Sequence, residues 1–335
     1  MSKSSVALRL ETVTPFPPIA ARLLTLFSDP SADLAEAAEL IGSDASLTAR
    51  LLQRVNSIEF GLAYPIPNVQ QAITTLGLDC TRQIMMMHAT AAYAVGALRT
   101  EELRRCWQHA VATAVLAEEI AQSCGAFTNV AFTAGIMHDI GRLSLLVAYP
   151  KEYERIIRDA AAQSLDILDF EREEFGVHHA EAGRLLAERW GFPEELRIVA
   201  GRHHDPCEGT ELNLLRIVHV ACRLADALGY EVTRPLIAVT VGEVLAELPA
   251  RSRERLGTTT ERLCARIEER ILEYDSDRQD PRPEAVSPPV DNAATEVGLS
   301  RDETQVSKPG FVLRMIVGAA AALAILVAFV WWRMS

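Results

Sequence analysis

Apolar residues recur at intervals of three and four positions from residue 18 to residue 274, and no stretch alternates steadily between apolar and polar residues. This spacing is typical of amphipathic helices rather than of strands. Gly42, Gly125 and Gly191 stand where helices would end, and Pro193 stands where one would begin. The pattern predicts an all-α protein, with helices over residues 34–41, 47–55, 68–76, 79–95, 101–123, 129–138, 151–163, 178–190, 193–204, 211–228 and 234–248.

The helical region is expected to form two lobes, a smaller N-terminal helical lobe over residues 1–97 and a larger lobe over residues 98–274. The composition then changes. Residues 275–310 hold five prolines, eight acidic and four basic residues, and no aromatic residue. Such a segment cannot bury enough apolar surface to fold, so we predict a disordered, acidic, proline-containing linker. As a random coil it would reach roughly 30–36 Å.

An uncharged run occupies residues 315–332, after the linker. As a helix it would span roughly 27 Å, close to the thickness of the hydrocarbon core of a bilayer. Arg314 and Arg333 bracket the run, and Trp331–Trp332 suits a membrane interface. A buried C-terminal helix of the larger lobe is the alternative, but the run is apolar on every face. We predict one transmembrane anchor within residues 311–335.

The expected orientation follows from signals at both ends of the chain. The first 16 residues contain no continuous apolar stretch of the kind that a signal peptide needs. Lys308 and Arg314 lie on the lobe side of the predicted span, and the side richer in Lys and Arg usually stays inside. We expect a single-pass protein of the inner (cytoplasmic) membrane with its globular part in the cytoplasm.

Charge and cysteine content exclude two further classes of protein. The chain has 33 Lys and Arg against 45 Asp and Glu, a net charge of −12, so general nucleic-acid binding is not expected. Its six cysteines are scattered and form no Cys-x-x-Cys motif. They indicate reduced thiols rather than a disulfide framework or a zinc finger.

Histidines carry the chemical signal. Seven of the eight lie in the larger lobe, most of them at predicted helix ends and next to other polar residues. A single histidine on an apolar helix face is usually a core or surface residue. Several imidazoles and carboxylates converging from different helices instead favour a divalent metal site. The candidate ligands are His109, His138, Asp139, His179, His203, His204 and Asp226.

The order His … His-Asp … Asp resembles the HD superfamily of metal-dependent phosphohydrolases, and more closely the HDOD family of HD-related output domains. Four stretches carry the resemblance: DASLTARLLQRVNSIEFGLAYPIPNVQQAITTLGL (44–78), FTAGIMHDIGRLSL (132–145), EREEFGVHHAEAGRLLAERWGFPEEL (171–196) and GRHHDP (201–206). The similarity covers roughly residues 12–250. It implies an all-helical fold, in which an N-terminal helical lobe packs on a degenerate HD lobe.

The resemblance also implies roles for individual residues. Arg142 stands where related HD-GYP phosphodiesterases usually have lysine, and Glu171 matches a position that could support a ligand. The Gly-Tyr-Pro signature of those enzymes is missing after His203–His204. One metal, for which Fe, Mn, Zn and Mg are the candidates, would be held by His109, His138, Asp139 and Asp226, and a second by His179, His203 and His204.

Two functions follow from these observations. The first is a membrane-tethered signalling or output module that is regulatory and non-catalytic, has a metal site and acts on signalling proteins, some of them membrane-bound. The second is a metal-dependent phosphohydrolase acting on a nucleotide or phosphodiester, with His138, Asp139 and Arg142 in the catalytic roles. A metal pair could activate water and clamp phosphate oxygens in that case.

Overall fold

The computed structural model describes residues 10–29, 31–57, 60–62, 64–205, 212–233, 239–257 and 260–277. Within these ranges the chain forms helices and no strand, as the apolar spacing predicts. In chain order the helices are α1 (Pro18–Ser28), α2 (Leu34–Gly42), α3 (Ala45–Val55), α4 (Val69–Leu76), α5 (Leu78–Ala94), α6 (Glu101–Cys124), α7 (Ala131–Met137), α8 (Ile140–Ala148), α9 (Pro150–Gln163), α10 (Ile167–Phe175), α11 (His179–Arg189), α12 (Glu194–Arg202), α13 (Leu214–Ala227), α14 (Val241–Leu245), α15 (Ala250–Gly257) and α16 (Thr260–Asp277).

Short polar side chains begin many of these helices. Asp44 accepts hydrogen bonds from two backbone N–H groups in the first turn of α3, and Asn68 and Asn213 cap α4 and α13 in the same way. Each cap satisfies a donor that the helix itself leaves free and contributes about 1 kcal/mol. Gly125 ends α6 in the left-handed conformation, which glycine adopts without a steric penalty.

Helix α6 is the centre of the larger lobe. Its most extensive contacts are with α7 and α13, and it also packs against α15 and α16. The predicted smaller lobe contains α1 to α5, and α5 connects it to the predicted larger lobe, because α5 packs on α7 and α8 as well as on α1 and α3. The α5 side chains Met85 and Met86 are completely buried there. Helices α7 and α8, which flank the candidate ligands His138 and Asp139, therefore pack directly against the smaller lobe.

Two glycines permit unusually close helix contacts around the candidate site. A Cβ atom on Gly135 of α7 would lie 2.5 Å from the Cα of Ala114 on α6. A Cβ atom on Gly141 of α8 would lie 2.0 Å from the carbonyl oxygen of His179 on α11. Only a residue without a side chain allows such backbone contact. These contacts bring His109, the His138–Asp139 turn and His179 together.

Several helix boundaries differ from the sequence prediction. The helix predicted over 129–138 ends at Met137, and a turn at His138–Asp139 separates it from α8. Only Val241–Leu245 is helical among the described residues of the helix predicted over 234–248, because Thr240 and Glu243 form a capping box that starts it there. Helix α16 continues to Asp277, three residues into the predicted linker.

No helix within the described ranges combines the length and the hydropathy that a membrane span requires. The predicted anchor at 311–335 and the linker from residue 278 onward lie outside the described residues. The division into lobes at residues 97 and 98 stays a prediction.

Candidate metal centre

Five segments of the larger lobe bring the candidate ligands together. Each contributes one or two side chains from a helix face or a helix end. His138–Asp139 forms the turn between α7 and α8, and His178 caps α11 by accepting the N–H of Glu181, which leaves His179 as the first helical residue. The ring centroids of neighbouring histidines lie 4.2–5.5 Å apart. The contributors are His109 on α6, His138 and Asp139 in the turn, His179 on α11, His203 and His204 at the end of α12, and Asp226 on α13.

Four imidazoles share one arrangement. Each can donate its Nδ1–H outward to a protein oxygen, and its Nε2, which then carries the lone pair, faces inward. Such a partner fixes the tautomer that binds metals and orients the ring. The outer partners are Tyr230 O for His109 at 3.0 Å, Gly135 O for His138 at 2.6 Å, the Glu171 carboxylate for His179 at 2.7 Å and Val199 O for His203 at 3.2 Å.

Four inward-facing residues form what we call the Asp139 cluster: Asp139, His179, His203 and His204. Asp139 Oδ1 lies 3.3 Å from the Nε2 atoms of both His179 and His203, and His179 Nε2 lies 2.8 Å from His204 Nε2. Ligands that share one ion at bond lengths of about 2.0–2.2 Å lie about 3.0–3.4 Å apart. The separations in this cluster are therefore close to those of a coordination sphere.

A second set, the Cys222 cluster, consists of His109, His138 and Cys222. Their ligand atoms all lie within 4.8 Å of one another, and the Cys222 Sγ is 3.4 Å from His109 Nε2. Asp226 approaches from the opposite side, with its Oδ1 3.3 Å from His109 Nδ1. The two clusters adjoin, because His138 Nε2 lies 3.7 Å from Asp139 Oδ2.

Buried charge holds the Asp139 cluster in place. The Arg142 guanidinium contacts both Asp139 Oδ2, at 2.7 Å from Nε, and His179 Nε2, at 3.0 Å from Nη2. Burial alone would raise the pKa of the Asp139 carboxyl, but Arg142 and the surrounding imidazoles hold that pKa well below its ordinary value. Burial, reinforced by the charge of Arg142, lowers the pKa of His179, and burial likewise lowers the pKa of His138. Neutral imidazoles beside an ionised carboxylate are the forms that bind metals.

Glu171 supports the cluster from behind. Its buried carboxylate accepts hydrogen bonds from the Nδ1–H and backbone N–H of His179 and from the hydroxyl of Tyr153. Burial raises the pKa of the Glu171 carboxyl, although Arg142 opposes that shift. The carboxylate–histidine pair is the arrangement that orients ligands at many metal sites.

Buried polar atoms test whether these residues suit a metal. His138 Nε2, His203 Nε2 and Asp139 Oδ1 are buried and make no hydrogen bond, whereas Asp139 Oδ2 is paired with Arg142. Such atoms are costly in an interior unless they bind an ion or another partner. Imidazole nitrogens with a carboxylate oxygen are the donor set of divalent transition metals. The residues present therefore fit a divalent metal ion.

A cavity of about 310 Å³ gives access to both clusters. Arg142, His109, His204, Cys222 and Asp226 reach its wall, together with residues 165–168 and 232–233. Its volume is at the lower end of the range for small-molecule sites. The cavity is therefore large enough for a small anionic group, which would contact the Arg142 guanidinium and any ion held by the clusters.

The sequence prediction missed some members of this centre. Cys222 was not among the predicted ligands, although it lies one helical turn before Asp226 and so shares a helix face with it. Tyr153, which anchors Glu171, gave no sequence signal, because it is a single tyrosine among charged residues. Asp226 is in the centre, but next to the outward nitrogen of His109 rather than the inward one.

A family model for the HDOD domain matches residues 13–206. The chain belongs to the HDOD family. An uncharacterized protein of Treponema pallidum (strain Nichols) is 26% identical over 211 residues, which are 60% of this chain and 39% of that protein. This HDOD chain therefore matches well under half of that relative's length.

Three solved structures share the fold. An HDOD domain protein of unknown function from Geobacter sulfurreducens has a TM-score of 0.64 and 22% identity, covering 80% of this chain and 97% of its own. A candidate phosphohydrolase from Shewanella amazonensis SB2B has a TM-score of 0.60 and 23% identity, covering 82% and 97%. A candidate signal transduction protein from Marinobacter aquaeolei VT8 has a TM-score of 0.58 and 22% identity, covering 81% and 59%. At these identities the likeness shows the HDOD fold alone.

Proposed function

We propose that this HDOD chain is a membrane-tethered bacterial signalling module, regulatory rather than catalytic, whose larger lobe holds a divalent metal ion. One observation carries the metal assignment: the buried Nε2 atoms of His138 and His203 and the buried Oδ1 of Asp139 make no hydrogen bond. In the Asp139 cluster an ion would be held by Asp139 with His179 and His203, and in the adjoining Cys222 cluster His138 would be a ligand. When bound, the ion would act as a Lewis acid toward an anion in the cavity. Iron, manganese and zinc suit imidazoles better than magnesium, which favours oxygen ligands.

The regulatory part of the proposal rests on the contact between the lobes. Thr90 of α5 donates a hydrogen bond to Met137 Sδ at 3.3 Å, and Met137 directly precedes the ligand His138. Tyr93, one turn further along α5, donates to Thr14 O at 2.9 Å, and its hydroxyl oxygen accepts from Ser144 Oγ on α8 at 3.2 Å. A shift of the His138–Asp139 turn would therefore reach the smaller lobe through α7, α8 and α5. Coupling of this kind arises when one ligand changes the equilibrium between two arrangements of packed elements.

Hydrogen exchange on the full chain tests this route. The protein is compared after stripping with a chelator and after reloading with Zn²⁺ or Mn²⁺. We expect metal to slow amide exchange in the turn at residues 135–142 and in the second half of α5, while α2, which packs on α1, α3 and α4, stays unchanged. His138→Ala should abolish the response. A response confined to the larger lobe would contradict the proposed output route.

A phosphohydrolase is the second candidate, and the cavity beside the ion is what favours it. In that case His138 and Asp139 would hold the metal and Arg142 would bind the phosphate. Metal-loaded full-length protein is assayed with bis(4-nitrophenyl) phosphate. The regulatory proposal predicts no turnover above that of free metal. Turnover that depends on metal and disappears in His138→Ala would contradict the regulatory proposal and support the phosphohydrolase.

Membrane tethering is part of the same proposal. The linker would confine the lobes near the membrane and raise their effective concentration for membrane-bound signalling partners. Deletion of residues 311–335 should release the protein from the membrane fraction, and protease added outside intact cells should leave the lobes uncut. Retention in the membrane after the deletion, or cleavage from outside, would contradict the proposed topology.

A further inference from the structure

Cys222 is a buried thiol that points into the metal centre. Its Sγ lies 3.4 Å from the inward-facing Nε2 of His109, and it lines the same cavity. The Nε2 atom of His138 is also in this cluster, and it is fully buried without a hydrogen-bond partner. A buried imidazole nitrogen with no partner points to a missing ligand or ion.

The side chains of Cys222 and Asp226 approach His109 from opposite sides. They are four residues apart on α13, so both face α6, which carries the histidine. Asp226 contacts the outward nitrogen, Nδ1, at 3.3 Å, and Tyr230 O accepts from the same nitrogen at 3.0 Å. The inward nitrogen faces the sulfur. The inner position that the HD resemblance gives to Asp226 is thus occupied by Cys222.

The separations agree with shared coordination. Metal bonds of about 2.0–2.3 Å at tetrahedral angles place two ligand atoms about 3.4–3.7 Å apart. The distance between Cys222 Sγ and His109 Nε2 is 3.4 Å. His109, His138 and Cys222 come from three different elements and need no large rearrangement to share one ion, because their ligand atoms already lie within 4.8 Å of one another.

We propose that Cys222 is a thiolate ligand of the metal centre, together with His109 and His138, and that Asp226 is a positioning residue for His109. The inference rests on the proposed metal site and specifies its chemistry. On binding, the S–H bond breaks, a sulfur–metal bond forms and the proton leaves to solvent through the cavity. A sulfur donor makes the centre select Zn²⁺ or Fe²⁺ over Mg²⁺ and Ca²⁺, which prefer oxygen ligands.

Cobalt substitution tests the assignment directly. The full chain is stripped, titrated with Co²⁺ and followed by absorption, because a thiolate bound to Co²⁺ gives an intense near-ultraviolet charge-transfer band that nitrogen and oxygen ligands do not give. The wild type should show the band. Cys222→Ser should lose it while still binding Co²⁺ through the remaining ligands, and Cys80→Ser, on α5 in the smaller lobe, should keep it. Asp226→Asn should keep the band and weaken Co²⁺ binding by a few-fold.

The outcomes separate the inference from the proposed function. Co²⁺ bound by the wild type without the band, or a band unchanged in Cys222→Ser, overturns the thiolate assignment and leaves the metal site standing. No binding of Co²⁺ to the wild type overturns the metal site itself. Far-ultraviolet circular dichroism of each variant checks that the helices are intact.

Discussion

The Asp139 cluster and the Cys222 cluster use the same histidine arrangement but are held in different ways. Buried charges fix the Asp139 cluster: Arg142 neutralises the carboxylate from one side, and Glu171 orients His179 from the other. Backbone carbonyls support the Cys222 cluster, whose thiol is uncharged until a metal binds. Because the only carboxylate between the imidazoles already has a counter-ion, the lobe can fold before a metal arrives. Arg142 therefore stabilises the arrangement of the Asp139 cluster in the metal-free protein, and a metal ion then binds the remaining ligand atoms.

The largest expected effect comes from separating the helices that hold the Asp139 cluster. In Gly141→Ala the new Cβ would lie 2.0 Å from His179 O and 2.3 Å from Gly183 N, both backbone atoms that cannot rotate away. We expect a loss of about 3 kcal/mol in unfolding free energy, measured by urea denaturation. Gly242→Ala is the matched control, because its Cβ would meet no heavy atom within 4 Å. Equal stability of the two variants would show that α8 and α11 do not pack as described.

Removal of the charge behind His179 should affect metal binding more than folding. Glu171→Gln keeps the shape but replaces a carboxylate that accepts three hydrogen bonds by an amide that accepts fewer. We expect Zn²⁺ affinity to fall about 10–100-fold, as at other sites that lose a carboxylate–histidine partner. A competition titration against a zinc chelator measures it, with Glu174→Gln, at a carboxylate paired with Arg155 on the surface, as the control. Unchanged Zn²⁺ affinity would show that Glu171 does not support the metal centre.

Acid should destabilise the metal-stripped protein. The pKa values of His138 and His179 are lowered by burial, so below about pH 6.5 the unfolded chain binds more protons than the folded one. The contribution of these two histidines to the unfolding free energy is therefore fully present above that pH. It is lost as the pH falls, by up to about 1.4 kcal/mol per pH unit for each histidine. His109 opposes the trend: burial would lower its pKa, but contact with Cys222 and Asp226 raises it.

Urea unfolding at pH 7.5, 6.5 and 5.5 with a chelator present measures this slope. His88→Ala should leave the slope unchanged, because His88 lies in the smaller lobe and pairs with Ser46 at the surface. Stability that stays constant or rises between pH 7.5 and 5.5 would mean that the two clusters do not hold neutral imidazoles.

The smallest effect should follow from the ligand nearest to solvent. His204 is exposed, and within the Asp139 cluster its ring contacts only His179 and the neighbouring His203. We expect His204→Ala to weaken Zn²⁺ binding by less than Glu171→Gln does, in the same competition titration. A larger loss than in Glu171→Gln would place His204 at the centre of the coordination and not at its edge.

The sequence predicted the helical fold and most members of the centre, and the reasons are local. Apolar spacing, caps and glycines determine where helices form, so each predicted helix overlaps an observed one. The prediction did not include α1, α8, α10, α15 and α16 as separate helices. The close contacts at Gly135 and Gly141 could not be predicted, because they depend on which helices pack together. Cys222 was missed for the same reason: only the packing of α13 on α6 brings its sulfur to His109.

Metal content of the purified full-length protein tests the central claim most directly. Elemental analysis by mass spectrometry is carried out on the wild type, His138→Ala and the matched His88→Ala. His138 lies between the two clusters and has a buried Nε2 without a partner, whereas His88 is outside both. We expect a stoichiometric transition metal in the wild type and in His88→Ala, and its loss in His138→Ala with the helical content retained. Equal metal content in His138→Ala and the wild type, or a stable wild type that contains and takes up none, would contradict the account.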